Sequence, residues 1–100
     1  MSKPIIDKAE VSIDFPDKFY HGSFGRQSRY GVSIDDEGIH IALDRPGEDR
    51  RHVSFHLHHY LFSGVLTSIA EEITEHAELS GDHRKQLKEA TAKLTKALQG

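Results

Sequence analysis

Up to Leu57 the apolar residues of this chain recur at every second position, and beyond it they recur at every third or fourth. A period of two places alternate side chains on opposite faces of a strand, whereas a period near 3.6 gathers them on one side of a helix. Strands first and helices afterwards predict an α+β domain. In "EVSIDF" the alternating set is Val11, Ile13 and Phe15, stopped by Pro16; "YGVSI" repeats the pattern with Tyr30, Val32 and Ile34. "DDEG" turns the chain into Ile39, Ile41 and Leu43, and "DRPGED" turns it again into Val53, Phe55 and Leu57. Strands are expected over about 10–15, 29–35, 38–44 and 51–57, forming an antiparallel four-stranded meander with the first strand at an edge or beside its sequence neighbour.

Leu61, Val65, Ile69, Ile73 and Ala77 then climb in steps of four, with Glu71, Glu72, Glu75 and Glu78 turned elsewhere, so a first helix is expected over about 59–79. Gly64 inside it costs about 1 kcal/mol relative to Ala, which suggests close packing there or a later start capped by Ser63. In "LSGDH", Gly81 suits the end of one helix and Asp82 the N-cap of the next. The second helix, about 82–98, is lined by Leu87, Ala90, Leu94, Ala97 and Leu98. Two helices joined this closely are expected to form a helical hairpin on one face of the sheet.

At 100 residues a single domain, 1–100, is the expectation. Leu, Ile, Val and Phe supply a quarter of the residues and the formal net charge is −3, which is the composition of a globular chain. The absence of cysteine excludes disulfides, thiolate zinc sites, iron–sulfur clusters and cysteine nucleophiles. Asp7 and Glu10 interrupt the beginning where a signal peptide would be apolar, and no run approaches the roughly 18 apolar residues of a membrane span. A soluble, cytoplasmic protein with no membrane partner is expected.

The segment "RHVSFHLHH" sets His52, Ser54, His56 and His58 on the face opposite Val53, Phe55 and Leu57, with His40 on the corresponding face of the preceding strand. His40, His52, His56 and His58 are therefore the candidate metal ligands. Three imidazoles must each approach one zinc ion to about 2.0–2.1 Å. His52 and His56 are four residues apart on an extended chain, roughly 13 Å between Cα atoms, which makes a poor chelate. His56 and His58, about 6.6 Å apart, suit one better. Placing His40 opposite His56 requires a loop of about seven residues, longer than the two to five usual in hairpins, so His40 is expected nearer His52 or Ser54. On this reasoning the segment is the polar face of a strand, and no cofactor is implied.

Gly31, Ser33, Ala42 and Ser54 are all small and share that face, which makes it a candidate contact surface for a second copy of the sheet, for another protein or for a small ligand. The stretch "FYHGSFGRQSRY", read as a loop, offers Ser23, Arg26, Ser28 and Arg29 as an anion-binding set. The last helix is basic, with Arg84, Lys85, Lys88, Lys93 and Lys96, but the glutamates of the helix before it are expected to complement it, and the overall charge does not draw phosphate. Nucleic acid is the third-ranked partner, through Arg26, Arg29 and that helix.

No catalytic residue is assigned. G-x-S-x-G, HExxH and glycine-rich phosphate loops opening a helix are all lacking. "PGEDRRHVSFHLHH" does not have the spacing of the cupin histidine motif, and the helical second half disagrees with that fold, so no family is claimed. The expected function is that of a small accessory or binding protein acting through a homodimer contact on the open sheet face. The alternative is a small-ligand or metal protein, or an enzyme, built on the histidine face.

Overall fold

Turns at 35–37 and 46–50 join the alternating runs into an antiparallel sheet, as the sequence pattern requires. The computed structural model describes residues 2–76 and 78–100; Ala77, expected on the apolar stripe of the first helix, lies outside the described residues. In chain order the elements are β1 (Ser2–Pro4), β2 (Ala9–Phe15), β3 (Lys18–Phe24), β4 (Arg29–Ile34), β5 (Gly38–Arg45), β6 (Arg51–His58), α1 (His59–Glu75) and α2 (Gly81–Leu98). One sheet has the order β1-β4-β5-β6, with every neighbouring pair antiparallel, and β2 and β3 form a separate two-stranded sheet. The fold is α+β.

The first expected strand does not join the meander. Pro16 and Asp17 form a two-residue turn that pairs Phe15 with Lys18, so Ala9–Phe15 is taken up by a hairpin with Lys18–Phe24. That partner strand reads as loop from sequence because Gly22 and Ser23 blur its alternation. The vacant sheet edge is filled by β1, pairing Ser2 with Gly31 and Pro4 with Arg29. Proline is tolerated on such an edge, where one side of the strand needs no partner. Arg29 reinforces the pairing by donating from Nε to Ser2 Oγ and from Nη2 to the Ser2 carbonyl, each at 2.9 Å.

Register sorts the side chains of β4, β5 and β6 into two faces. Tyr30–Leu43–Val53, Val32–Ile41–Phe55 and Ile34–Ile39–Leu57 make three apolar rows on one face. Arg29–Asp44–His52, Gly31–Ala42–Ser54 and Ser33–His40–His56 make the other. Among the described residues the buried apolar ones are Ile5, Phe24 and Ile39.

The chain divides into two compact units, Met1–Val65 and Leu66–Gly100. Helix α1 starts at His59, directly after β6, so Ser63 lies inside it rather than capping it. A Cβ added at Gly64 would meet nothing within 4 Å, which removes close packing as the reason for that glycine. Helix α2 is capped by Ser80, two residues earlier than Asp82 would place it; Ser80 Oγ accepts from His83 N at 3.1 Å. Asp82 instead stands in the first turn, where its charge favours the helix dipole. Neither helix has a buried residue among those described.

Candidate functional site

The turn between β4 and β5 is shaped by Asp35. Its Oδ1 accepts from Glu37 N at 2.9 Å and from Gly38 N at 3.0 Å, while its backbone N donates to the Gly38 carbonyl at 3.0 Å. This is how an aspartate mimics a backbone turn. Its second oxygen, Oδ2, lies 3.0 Å from His40 Nε2. The backbone bond from Gly38, the His40 ring and the backbone bond from Glu37 together hold the Asp35 carboxyl down at about 2. His59, the first residue of α1, places Nε2 2.9 Å from the Asp35 carbonyl.

His40 stands directly across from His56, not near His52 or Ser54. The expectation failed on loop length: pairing runs on to Arg45 and Arg51, leaving only residues 46–50 to connect the strands. Two arginines opposite one another would repel, but Asp49 sits between them, its Oδ2 at 3.8 Å from Arg45 Nη1 and 2.5 Å from Arg51 Nη2. Gly47, with φ of 110°, makes the bend in a conformation that L side chains rarely adopt.

That register stacks the His40 and His56 rings at 3.9 Å with 13° between their planes, and brings the His58 ring to 4.7 Å from His56. Donor atoms of Asp35, His40 and His56 all lie within 4.8 Å of one another, as do those of Glu37, His56 and His58. His52 is outside both groups; its Nδ1 is 3.4 Å from Asp44 Oδ1. Three of the four histidines singled out from the sequence are thus brought together and one is not. Sequence reasoning missed both carboxylates, Asp35 and Glu37. The available signal was an Asp-x-x-Gly turn immediately before the strand that carries His40.

Gly31, Ala42 and Ser54 form one row of the polar face, as expected, with Ser33 across from His40. They floor a shallow depression of about 360 Å³ that also takes in Arg29, Asp44 and His52. The expected anion set is divided. Ser23 lies in β3, Ser28 is buried with no partner for its hydroxyl, and Arg29 is engaged with Ser2; only Arg26 remains of the two arginines. Arg26 shares a hollow of about 250 Å³ with Ser23, Ser28 and Arg45. On α1 and α2, among the described residues, no glutamate of the first is ion-paired with a lysine of the second.

The apolar face is incompletely covered within its own unit, with Ile41, Leu43, Val53 and Leu57 half-buried. Of its nine residues only Ile39 is buried, while Val32, Ile34 and Phe55 are 46%, 66% and 41% exposed. A further apolar cleft of about 560 Å³ lies between the β2–β3 hairpin and β6, lined by Val11, Ile13, Tyr20, Phe24 and Val53. Among the described residues no helix is long and apolar enough to cross a membrane. Comparison of the chain with protein-family models, with curated proteins and with solved structures finds no match.

Proposed function

We propose that this chain is a non-catalytic assembly module that works as a homodimer, with the apolar sheet face of one protomer closed against that of a second. The single observation behind this reading is the three-row apolar face on which only Ile39 is buried. Fully burying a Val, Leu, Ile or Phe side chain contributes about 1.5–3 kcal/mol, so a face of this kind gains substantially from cover.

A second copy suits this surface. The face is continuous across three strands, and two such faces related by a two-fold axis stack about 10 Å apart to make a sandwich core. A formal charge of −3 opposes self-association only weakly. Three strands by five residues cover roughly 14 by 17 Å, less than the ~800 Å² per partner of a stable interface. Leu61 and Val65, in the same compact unit as the sheet, are also exposed and add to the apolar surface of that unit. The burial pattern favours this face over the small-residue depression, where Arg29, Asp44 and His52 would have to lose water on association.

Sedimentation velocity over a range of concentrations tests the proposal, with circular dichroism to confirm folding. Wild type is expected to dimerise, and Val32→Lys or Phe55→Lys to give a folded monomer, while Ser54→Arg and Ala42→Arg leave the dimer intact. A wild type that stays monomeric overturns the homodimer. A dimer broken by Ser54→Arg but not by Val32→Lys moves the contact to the small residues of the polar face.

A further inference from the structure

We propose that Asp35, His40 and His56 form a binding site for a divalent first-row transition-metal ion of the zinc class, with Asp35 Oδ2 and one nitrogen from each imidazole as ligands.

The three donors come from three separate places, the β4–β5 turn, β5 and β6, yet lie within 4.8 Å of one another. Ligands about 2.1 Å from a tetrahedral ion stand roughly 3.4 Å apart, so the group needs to contract by only about an ångström or so. Nothing in the backbone has to move for that. His40 and His56 are direct cross-strand partners, with Cβ atoms at a spacing of about 4.5–5.5 Å, and both rings turn on side chains that are not buried.

Two features mark the group as more than a chance meeting of polar residues. The Asp35 carboxylate is divided in its work. Oδ1 is fixed by the backbone N–H groups of Glu37 and Gly38, while Oδ2 is left facing His40. The backbone of the same residue is tied to Gly38 and, through its carbonyl, to His59. Outer bonds of this sort orient a metal-ligating carboxylate, and their loss typically weakens metal binding. Moreover, the Asp35–His40 pair at 3.0 Å is held by a hydrogen between Oδ2 and Nε2, and a cation entering there takes that hydrogen's place.

The ring stack defines the one rearrangement required. Imidazole lone pairs lie in the ring plane, and two rings 3.9 Å apart with only 13° between their planes do not aim at a common point. One ring must therefore swing about its Cβ–Cγ bond as the ion enters. Glu37 and His58 group with His56 separately, outside the first three donors, so the fourth tetrahedral position falls to water. Two imidazoles and a carboxylate select zinc, cobalt, nickel or copper, and offer little to magnesium or calcium, which favour all-oxygen surroundings. His52 has no part in the site.

The test is isothermal titration of untagged, chelator-treated protein with Zn²⁺ at pH 7.5, repeated with Mg²⁺. Wild type is expected to take up one zinc per chain with a dissociation constant on the order of 1 µM or below, and no magnesium. His56→Ala, His40→Ala and Asp35→Asn should each weaken zinc by about tenfold or more, while His52→Ala binds like wild type. Because Asp35 also shapes a turn, far-ultraviolet circular dichroism accompanies each variant, and the two histidine variants decide the outcome if Asp35→Asn is misfolded. With Co²⁺ in place of zinc, paramagnetic shifts should centre on residues 35–40 and 56–58. Absence of saturable uptake overturns the site, as does a loss in His52→Ala equal to that in His56→Ala, which would mean diffuse binding to surface histidines.

Discussion

Single residues decide the geometry of the histidine corner. Gly38, the first residue of β5, is buried against β6, and a Cβ there would overlap the Leu57 carbonyl oxygen and come within 2.8 Å of His58 Cα. Because these atoms are backbone, they cannot turn aside as a side chain would. Gly38→Ala is therefore expected to cost about 1–3 kcal/mol in urea unfolding and to shift the amide resonances of Leu57 and His58. Asp35 gives a pH signature. Its folded carboxyl is held at about 2, below the ordinary value of 3.8, so the unfolded chain binds the proton first as pH falls. The stability contributed by Asp35 is complete above about pH 4–5 and is lost as pH falls through about 2. Asp35→Asn keeps an oxygen to accept the two backbone bonds but has no proton to take up. The difference in stability between wild type and this variant, followed from pH 5 to pH 2, should shrink steadily; a constant difference would remove the carboxylate's role in the turn.

The elements show where alternation is a sufficient guide and where it is not. Strands expected at 29–35, 38–44 and 51–57 are found at 29–34, 38–45 and 51–58, since each carries a clean two-residue period between turn residues. β1 and β3 were not legible: three residues carry no period, and Gly22 and Ser23 interrupt the other. The β5–β6 register turned on one extra pair, Arg45 with Arg51, made tolerable by Asp49. Removing that charge by Asp49→Asn should destabilise the hairpin by no more than about 1–2 kcal/mol, with the loss reduced at high salt, as expected of exposed ion pairs. The N-cap of α2 falls two residues before the expected one because Ser80 and Asp82 are both good caps, and only the backbone shows which serves. Ser80→Ala should cost about 1 kcal/mol and Asp82→Ala less, measured as loss of helical circular dichroism on heating.

For the whole molecule, the buried apolar residues among those described are only Ile5, Phe24 and Ile39, and the proposed homodimer would add further burial. If the homodimer forms through the apolar sheet face, the unfolding midpoint should rise with protein concentration, and Val32→Lys should abolish that dependence. Zinc offers an independent handle: at about a hundred times its dissociation constant, an ion bound only by the folded chain adds about 2.7 kcal/mol. That increment should persist in Val32→Lys and fall to about half or less in His56→Ala at the same zinc concentration, which keeps the two proposals separable. The sequence by itself determined the α+β class, the three central strands, both helices and the separation of histidines from apolar residues, because each depends on the spacing of side chains along one chain segment. The tertiary structure alone decided which strand fills the sheet edge, which residues face one another across β5 and β6, and that Asp35 joins His40 and His56. Those outcomes depend on loop closure and on charges that meet only after folding, and periodicity within a segment carries no information about either.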